Sequence, residues 1–322
     1  MSAGAGAAGS PLGRLSSWLS RKLVEPPLPL VAVEVRPRAV AAVRLVRESA
    51  RLRLKAAAAV ELRDGALELS LGKPNVVDAE ALSAALRAAL ERAGALSGGP
   101  VSLVVPDPVV RLTLVPSAGL RGRRTELEET VRFRLQKALP ADFDVRSARL
   151  AWRPVSADEL LVAVAHDEVV ASYEAALQAL GFEPGLVEPA GLALASLAVG
   201  GGADAERLLV NWDHGYVSFQ LWRGSRPLLL RTLPREDAKD AVARHVAQTL
   251  RFHREQLGGQ GIGDVLLRAG ALDPGEASEV IARAAGVEPR LVQPWAALGD
   301  AEDGTAAQSV AGAAACVLRR AA

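Results

Sequence analysis

Residues 208–230 restrict the fold more than any other stretch of this 322-residue chain. Three runs in this stretch are apolar or alternate between apolar and polar residues, and two turn sequences separate them: Asp-His-Gly at 213–215 and Arg-Gly-Ser at 223–225. Runs of this kind between turn residues predict a meander of three β-strands. A turn of the form Asp-x-Gly also suits phosphate binding, because glycine lets backbone N–H groups come close to an anion.

The first part of the chain shows the same order of patterns. Residues 30–62 contain three strand-like runs separated by turns, and Asp78 can cap a helix that Gly94 ends. A buried strand is predicted next, at 101–105. The meander at 208–230 is likewise followed by a helical pattern and then by a strand pattern. This repeated order of meander, helix and strand predicts an α/β protein with two related halves.

The patterns divide the chain into five predicted segments. In chain order they are a flexible tail with a short amphipathic helix at 1–27, a first half at 28–108, an inserted α/β subdomain at 109–186, a connecting helix and linker at 187–204, and a second half at 205–322. The inserted subdomain is predicted from its own order of strand, helix, strand, strand and helix. Three consecutive glycines at 200–202 mark the clearest boundary.

Charge and composition exclude several classes of function. Lys and Arg number 38 against 37 Asp and Glu, a formal net charge of +1, so the chain lacks the basic surplus with which proteins neutralise nucleic-acid phosphates. The single cysteine, Cys316, cannot form an internal disulfide, which fits a reducing compartment. The apolar runs are shorter than the roughly 20 residues that span a bilayer, and residues 1–9 lack the apolar core of a signal peptide. We therefore expect a cytoplasmic protein that binds no nucleic acid.

An amphipathic pattern near the N-terminus suggests a membrane contact. Leucines and a tryptophan recur there at helical spacing, the charges are positive, and Glu25-Pro26-Pro27 ends the pattern. A short basic helix with an aromatic residue can lie on anionic head groups. The residues predicted to make this contact are Leu15, Trp18, Leu19, Arg21 and Lys22. The pattern also fits a helix that packs on its own domain or on a partner protein, and both interpretations stay open.

Metal sites and common catalytic motifs are not predicted. The four histidines lack cysteine or carboxylate neighbours at the spacing of metal ligands. The sequence contains no Gly-x-Ser-x-Gly, no Walker lysine loop and no His-Glu-x-x-His. We therefore predict neither metal ligands nor catalytic residues.

Seven stretches of the chain form a recognisable series when their order and spacing are considered together. They are V-A-V-E-V-R-P-R-A-V-A-A-V-R-L from residue 31, T-V-R-F-R-L-Q-K-A-L-P from 130, L-L-V-A-V-A-H-D-E-V-V from 160, L-G-F-E-P-G-L-V-E-P-A-G-L-A-L from 180, the meander at 208–230, V-L-L-R-A-G-A-L from 265 and A-G-A-A-A-C-V-L-R from 311. The series resembles the PilM family of actin-like proteins in bacterial type IV pilus assembly, and more distantly the division protein FtsA. Over residues 28–320 this resemblance implies an actin-like (ribonuclease H-like) duplicated two-domain α/β fold with an inserted small α/β subdomain.

The resemblance also implies a nucleotide site, because proteins of this superfamily bind ATP through three loops. The first loop corresponds to the stretch from Glu34 to Arg38. Within it, bulky Arg36 and rigid Pro37 replace the residues that would let the backbone reach a phosphate. The first loop therefore departs from the pattern of an ATP-binding protein.

The second and third loops depart from the pattern as well. The Asp-x-Gly of the second loop corresponds to residues 211–213, where Asn211 and Asp213 stand in place of Asp and Gly, or in an alternative register to residues 213–215, which restore the motif. The glycine pair of the third loop is reduced to Ala269-Gly270. We predict a degenerate nucleotide cleft without ATP hydrolysis or a cofactor, with binding of ATP and Mg²⁺ as the alternative. Its candidate residues are Glu34, Arg36, Arg38, Asn211, Asp213, Gly215, Ala269 and Gly270.

The function that the resemblance implies is that of a scaffold. A PilM-like protein would lie in the cytoplasm, peripherally at the inner membrane, and bind the N-terminal peptide of a PilN-like membrane protein in a groove between its subdomains. It would thereby couple a pilus, secretion or competence machine to its motor ATPase or to other platform proteins. Two alternatives stay open, a functional actin-like ATPase and an FtsA-like membrane-tethered filament protein.

Overall fold

The computed structural model describes residues 29–48, 51–118, 124–198, 204–234, 236–295 and 304–319. The predicted membrane contact, formed by Leu15, Trp18, Leu19, Arg21 and Lys22, lies outside these residues. Among the helices in the described part, none combines the length and the apolar character needed to cross a bilayer.

The elements follow one another along the chain in the predicted α/β order, with one strand that was not predicted, at Phe182–Pro189. The strands are β1 (Val31–Arg36), β2 (Ala39–Glu48), β3 (Arg51–Glu61), β4 (Gly99–Val105), β5 (Arg111–Pro116), β6 (Ala148–Pro154), β7 (Glu159–His166), β8 (Phe182–Pro189), β9 (Glu206–Asp213), β10 (Tyr216–Arg223), β11 (Arg226–Pro234), β12 (Asp264–Ala269) and β13 (Arg290–Leu291). The helices are α1 (Ala79–Arg92), α2 (Arg124–Leu135), α3 (Asp167–Gln178), α4 (Ala190–Ala198), α5 (Lys239–Gln256), α6 (Pro274–Ala285) and α7 (Gly304–Leu318).

Two five-stranded sheets of the same topology form the two halves. The sheet of the first half has the order β3-β2-β1-β4-β8, and the sheet of the second half has the order β11-β10-β9-β12-β13. In each sheet the first three strands form an antiparallel meander, and the last two join in parallel. This correspondence confirms the duplicated fold that the repeated sequence pattern predicts.

Helices cover both faces of each sheet. Helices α1 and α3 pack on the outer face of the first sheet, and α5 and α6 on the outer face of the second. Helices α4 and α7 lie between the two inner faces, where one hydrophobic cluster takes side chains from both halves. Helix α7 is rich in alanine and buried on all sides over residues 310–318. Its small side chains let both sheets approach its backbone, which makes the middle layer thin.

The inserted unit is smaller than the predicted range of 109–186. Its sheet has the order β5-β7-β6, and α2 packs on it around a separate hydrophobic cluster. Within the predicted range, α3 instead packs into the core of the first half, and β8 pairs with β4. The range was predicted from the order of elements, and element order does not reveal which sheet a returning strand joins. Residues 187–189, predicted as part of the connecting segment, likewise belong to β8.

Candidate functional site

The site lies where the inner faces of the two sheets approach each other. In β1 the side chains alternate between the two faces of the sheet. Val33 and Val35 enter the outer core of the first half. Ala32 belongs to the middle layer, and Glu34 and Arg36 point the same way, toward the second half. Both charged side chains are buried.

The second half presents its own polar side chains to the same layer. Asn211 and Asp213 of β9 and Arg268 of β12 are each 0% exposed. Arg268 lies two residues after Leu266, which belongs to the middle hydrophobic cluster, so the period of two in β12 puts both on the inner face. Burial of this many charged groups requires that each has a partner of opposite charge or a hydrogen bond.

The hairpin tips define the register of the two phosphate-type loops. Strand β1 ends at Arg36 and β9 ends at Asp213, so these two residues hold equivalent positions in the two halves. The second hairpin turns through His214 and Gly215, and Gly215 has a φ of 73°. Because Arg36 and Asp213 are equivalent, Glu34 is equivalent to Asn211, and the stretch that corresponds to the first loop is residues 211–213, the first of the two registers.

Arg36 and Asp213 form a two-pronged ion pair across the cleft. The Nε of Arg36 donates to Oδ2 of Asp213 at 2.8 Å, and Nη2 donates to Oδ1 at 3.0 Å. The same guanidinium also donates to the backbone oxygens of Gly270 at 2.9 Å and Ser309 at 3.4 Å. A planar guanidinium matched to a carboxylate in this way is among the strongest charge-assisted contacts.

Arg268 forms the second set of contacts across the cleft. Its Nη2 donates to Glu34 of the first half at 2.9 Å, and its Nη1 donates to Asp213 at 2.7 Å and to Asn211 at 3.1 Å. Its Nε donates to the backbone oxygen of Gln308 at 3.2 Å. The fully buried guanidinium thus has carboxylate partners from both halves.

Helix α7 supplies further hydrogen bonds to the buried polar groups of the cleft. The backbone N–H groups of Gly312 and Ala313 donate to Oε2 of Glu34, at 3.0 and 3.3 Å. The side chain of Gln308 accepts from the N–H of Ala269 and donates to the backbone oxygen of Val292. The helix that fills the middle layer therefore also satisfies the polar groups around it.

A third buried carboxyl, Asp107 of the first half, extends the network from β1 to the end of β4. It follows β4 and accepts hydrogen bonds from Ser218, from Asn211 at 2.8 Å and from the N–H of Gly191 at 2.6 Å. Asn211 thereby links Asp107 to Arg268. Burial raises the pKa of Asp107 above its ordinary value, and these hydrogen bonds offset only part of that effect.

The ionisation of the cross-cleft groups follows from their pairing. Burial alone would raise the pKa of Asp213, but the guanidiniums of Arg36 and Arg268 hold it well below its usual range. Burial alone would lower the pKa of Arg268, but Glu34 and Asp213 raise it above its usual range. We therefore assign Asp213 and Arg268 as charged at neutral pH.

A nucleotide does not fit the three loops as the structure has them. In the first loop the side chain of Arg36 fills the cleft and Pro37 has no N–H to donate. In the second loop the N–H groups of His214 and Gly215 already donate to the carboxylates of Asp213 and Asp237, at 2.8 and 2.7 Å. Amide groups that hold a carboxylate are not free to hold a phosphate.

The third loop is closed in the same way. A Cβ atom placed on Gly270 would lie 2.4 Å from Nη2 of Arg36 and 2.9 Å from the carboxyl carbon of Asp213. The space that a glycine leaves for a ligand is thus taken by the ion pair. A Cβ on Gly312 would meet the carboxyl of Glu34 at 2.5 Å, so this acid is equally tightly enclosed.

The structure brings together six of the eight predicted cleft residues and separates the other two. Arg38 turns outward and pairs with exposed Asp64 at 2.9 Å, and Gly215 lies at the hairpin tip beside Asp237. Sequence reasoning missed Asp107, Arg268 and Gln308. The residues that meet in the cleft are Glu34, Arg36, Asn211, Asp213, Ala269 and Gly270.

An open groove lies beside the filled cleft. Its volume is about 710 Å³, and it lies between the first half, the inserted unit and β11 of the second half. Leu71, Leu139 and Phe143 supply apolar surface, and Lys73 and Lys137 supply positive charge. Such a mixture of apolar walls and a few charged groups is typical of sites that bind peptides or small molecules.

A second depression continues the groove toward the outside of the inserted unit. It has a volume of about 340 Å³ and shares Lys137 and Ala138 with the first groove. One of its walls is β5, which lies at the edge of its three-stranded sheet, and Phe133 beside it is 66% exposed. An edge strand with an exposed aromatic neighbour is a common place for an extended segment to pair.

Comparisons with known proteins agree with the architecture. A solved structure described as the PilM-PilN type IV pilus biogenesis complex matches 92% of this chain and 98% of that chain, with a TM-score of 0.74 and 20% sequence identity. A Bacteroides thetaiotaomicron protein with an actin-like ATPase fold and unknown function matches 82% of this chain and 90% of that chain, with a TM-score of 0.51 and 9% identity. Searches of protein-family models and of curated proteins give no match. The chain therefore has the actin-like fold and shares this fold, over 92% of its length, with a chain of the PilM-PilN structure.

Proposed function

We propose that this chain is a cytoplasmic scaffold of a type IV pilus, or of a related secretion or competence machine. In this proposal it binds the N-terminal peptide of a PilN-like membrane protein. The shared architecture supports the proposal, because the structure that matches 92% of the chain is a PilM-PilN complex. The observation that carries it is the open groove of about 710 Å³ between three structural units, next to a cleft filled by the chain's own side chains.

The chemistry of the groove suits an extended peptide. Leu71, Leu139 and Phe143 offer apolar pockets for alternate side chains, and the edge of β5 offers backbone groups for strand pairing. Lys73 and Lys137 at the walls would hold peptide carbonyl or carboxylate oxygens and so fix its direction. A peptide scaffold needs these features and needs no catalytic group.

Location and coupling follow from the partner in this proposal. A protein that holds the cytoplasmic end of an inner-membrane protein lies peripherally at that membrane. Its remaining surface is then available to the motor ATPase or to other platform proteins. In a membrane flotation assay, we expect the chain to float with membranes that contain the PilN-like partner. When the partner lacks its N-terminal peptide, the chain should remain in the soluble fraction.

Blocking the groove tests the proposal. Ala138 is exposed and lines both depressions, so Ala138→Trp places a large side chain where they meet without disturbing the core. The probe is a synthetic peptide from the cytoplasmic N-terminus of the PilN-like partner, a single-span membrane protein encoded by a neighbouring gene. We expect the variant to bind this peptide at least about tenfold more weakly than the native chain. Fluorescence anisotropy of the labelled peptide measures the two affinities.

Gln136→Trp is the matched control. Gln136 is exposed two residues earlier in the same turn but lines neither depression. Its replacement should leave peptide affinity unchanged. Equal affinities for the native chain and the Ala138→Trp variant would move the peptide away from this groove, and a native chain that binds no peptide at high concentration would refute the scaffold proposal.

A further inference from the structure

We infer that four buried charges replace a bound nucleotide as the bridge between the two halves. We call Glu34, Arg36, Asp213 and Arg268 the clasp. The inference goes beyond the proposed peptide binding and does not rest on it. It concerns the cleft in which actin-like proteins hold ATP and which this chain fills with its own side chains.

The clasp is reciprocal between the halves. Each half contributes one acid and one arginine: Glu34 and Arg36 come from β1, Asp213 from β9 and Arg268 from β12. Arg36 of the first half pairs with Asp213 of the second, and Arg268 of the second pairs with Glu34 of the first. Arg268 also contacts Asp213 at 2.7 Å, which links the two pairs into one continuous set. Two positive and two negative charges make the set neutral.

The clasp occupies the positions from which a nucleotide would be held. Arg36 stands at the tip of the first loop, Asp213 at the tip of the second, and both press against Gly270 of the third. The guanidinium of Arg36 donates to the carbonyl of Gly270 and to the carboxylate of Asp213, so one side chain contacts two of the three loops and belongs to the remaining one. Phosphates and a metal ion would bridge the same loops from the same place.

Burial makes the clasp sensitive to the loss of any one of its members. The side chains of Glu34, Asp213 and Arg268 are 0% exposed, and that of Arg36 is 7% exposed. Water and salt therefore screen these contacts little. Removing one member leaves an uncompensated buried charge, and that loss is far larger than the loss of an exposed ion pair. The clasp thus connects the two halves through side chains of the chain itself.

The first test asks whether Mg-ATP stabilises the chain. The purified chain is heated with and without 5 mM Mg-ATP, about 5,000 times a Kd of roughly 1 μM. We expect the same Tm in both samples and the same amide-exchange rates over residues 34–38 and 211–215. A saturable rise in Tm with Mg-ATP would overturn the inference.

Anion rescue is the second test. Asp213→Ala leaves two buried guanidiniums facing an emptied carboxylate position, so we expect its Tm to fall by roughly 10 °C. Acetate, formate or inorganic phosphate should then raise the Tm of this variant in a concentration-dependent way, compared with chloride at equal ionic strength. The native chain should show no such rise. Failure of all three oxyanions to raise the Tm above the chloride sample would overturn the inference.

Asp64→Ala is the matched control for the second test. Asp64 forms a two-pronged pair with Arg38 at 3.0 and 2.9 Å, but its side chain is 76% exposed. This variant should lose little stability and show no oxyanion effect. An equal Tm loss in Asp64→Ala and Asp213→Ala would show that the clasp has no special role.

A neutral double variant covers the case in which Asp213→Ala does not fold. Arg36→Ala with Asp213→Ala removes one positive and one negative charge together. We expect its Tm to lie above that of Arg36→Ala alone, because the pair acts as a unit. A double variant with additive losses would overturn the inference.

Discussion

At the scale of single residues, Asp107 is the buried acid whose environment has a direct consequence for pH dependence. Burial raises its folded-state pKa above 3.8, more than the hydrogen bonds from Ser218, Gly191 and Asn211 lower it. As pH rises above 3.8, the unfolded chain loses this proton first while the folded chain keeps it. The contribution of Asp107 to the unfolding free energy therefore decreases with rising pH until the folded-state pKa is passed.

Asp107→Asn removes this titration. We expect the unfolding free energy of the native chain, minus that of the variant, to fall as pH rises from 4 toward 7. The fall should be at most about 1.4 kcal/mol per pH unit. Urea unfolding at several pH values measures it. Asp142→Asn, an exposed replacement of the same kind in the same groove, controls for the lost charge. A difference that rises with pH would contradict the assignment.

Gly270 provides a second prediction at this scale. An alanine Cβ there would lie 2.4 Å from Arg36 and 2.9 Å from Asp213, so the ion pair would have to shift. We expect Gly270→Ala to lower the unfolding free energy by about 1–3 kcal/mol in chemical denaturation. Gly263→Ala is the control, since nothing lies within 4 Å of its added Cβ. Equal stability of the two variants would mean that the cleft is looser than the contacts indicate.

Most residues of the cleft could be predicted from the sequence, but the ion pairs that they form could not. Loop resemblance located Glu34, Arg36, Asp213 and Gly270, because turn sequences are local. Arg268 was missed because it lies inside a strand, although a lone arginine two residues after Leu266 in an apolar run was a visible signal. Which carboxylate each guanidinium reaches depends on how the two sheets are stacked, and no local pattern carries that information.

At the scale of elements, the groove is shaped by how the inserted unit joins the first half. The chain passes directly from β4 through Asp107 into β5, and returns from β7 into α3, so two short connections fix the unit. Leu71 of the first half also packs against the core of the inserted unit. The meander, the helices and the inserted sheet were predictable from periodicity, whereas the return of α3 and β8 to the first sheet was not, because partner choice is a long-range property.

A surface ion pair connects the inserted unit to the second half, and we expect it to contribute little to stability or to peptide binding. Arg226 of β11 and Glu159 of β7 are 2.6 Å apart and partly exposed. We expect Glu159→Ala to change the unfolding free energy by less than about 1 kcal/mol and to leave peptide affinity unchanged. Denaturation and anisotropy measurements check both values. A marked loss of affinity would mean that this pair sets the width of the groove.

At the scale of the whole molecule, the distribution of hydrophobic cores determines what can unfold separately. The middle cluster combines Ala32 and Val104 of the first half with Leu209 and Leu266 of the second, around α4 and α7. Neither half can open without exposing this shared core and breaking the clasp. The inserted unit has its own cluster of mainly local side chains, so its core can be lost while the outer cores of the two halves and the middle cluster remain.

Hydrogen exchange in increasing urea should resolve these units. We expect amides of β6 and β7 to open at lower urea than those of β1 and β9, and amides of β1 and β9 to open together, because the shared middle layer couples them. Mass spectrometry of peptic fragments measures the opening free energy of each strand. In Asp213→Ala the values for β1 and β9 should fall by the same amount while those for β6 and β7 stay constant. Separate opening of β1 and β9 in the native chain would show that the two halves are independent domains, and a clasp between them would then contribute little.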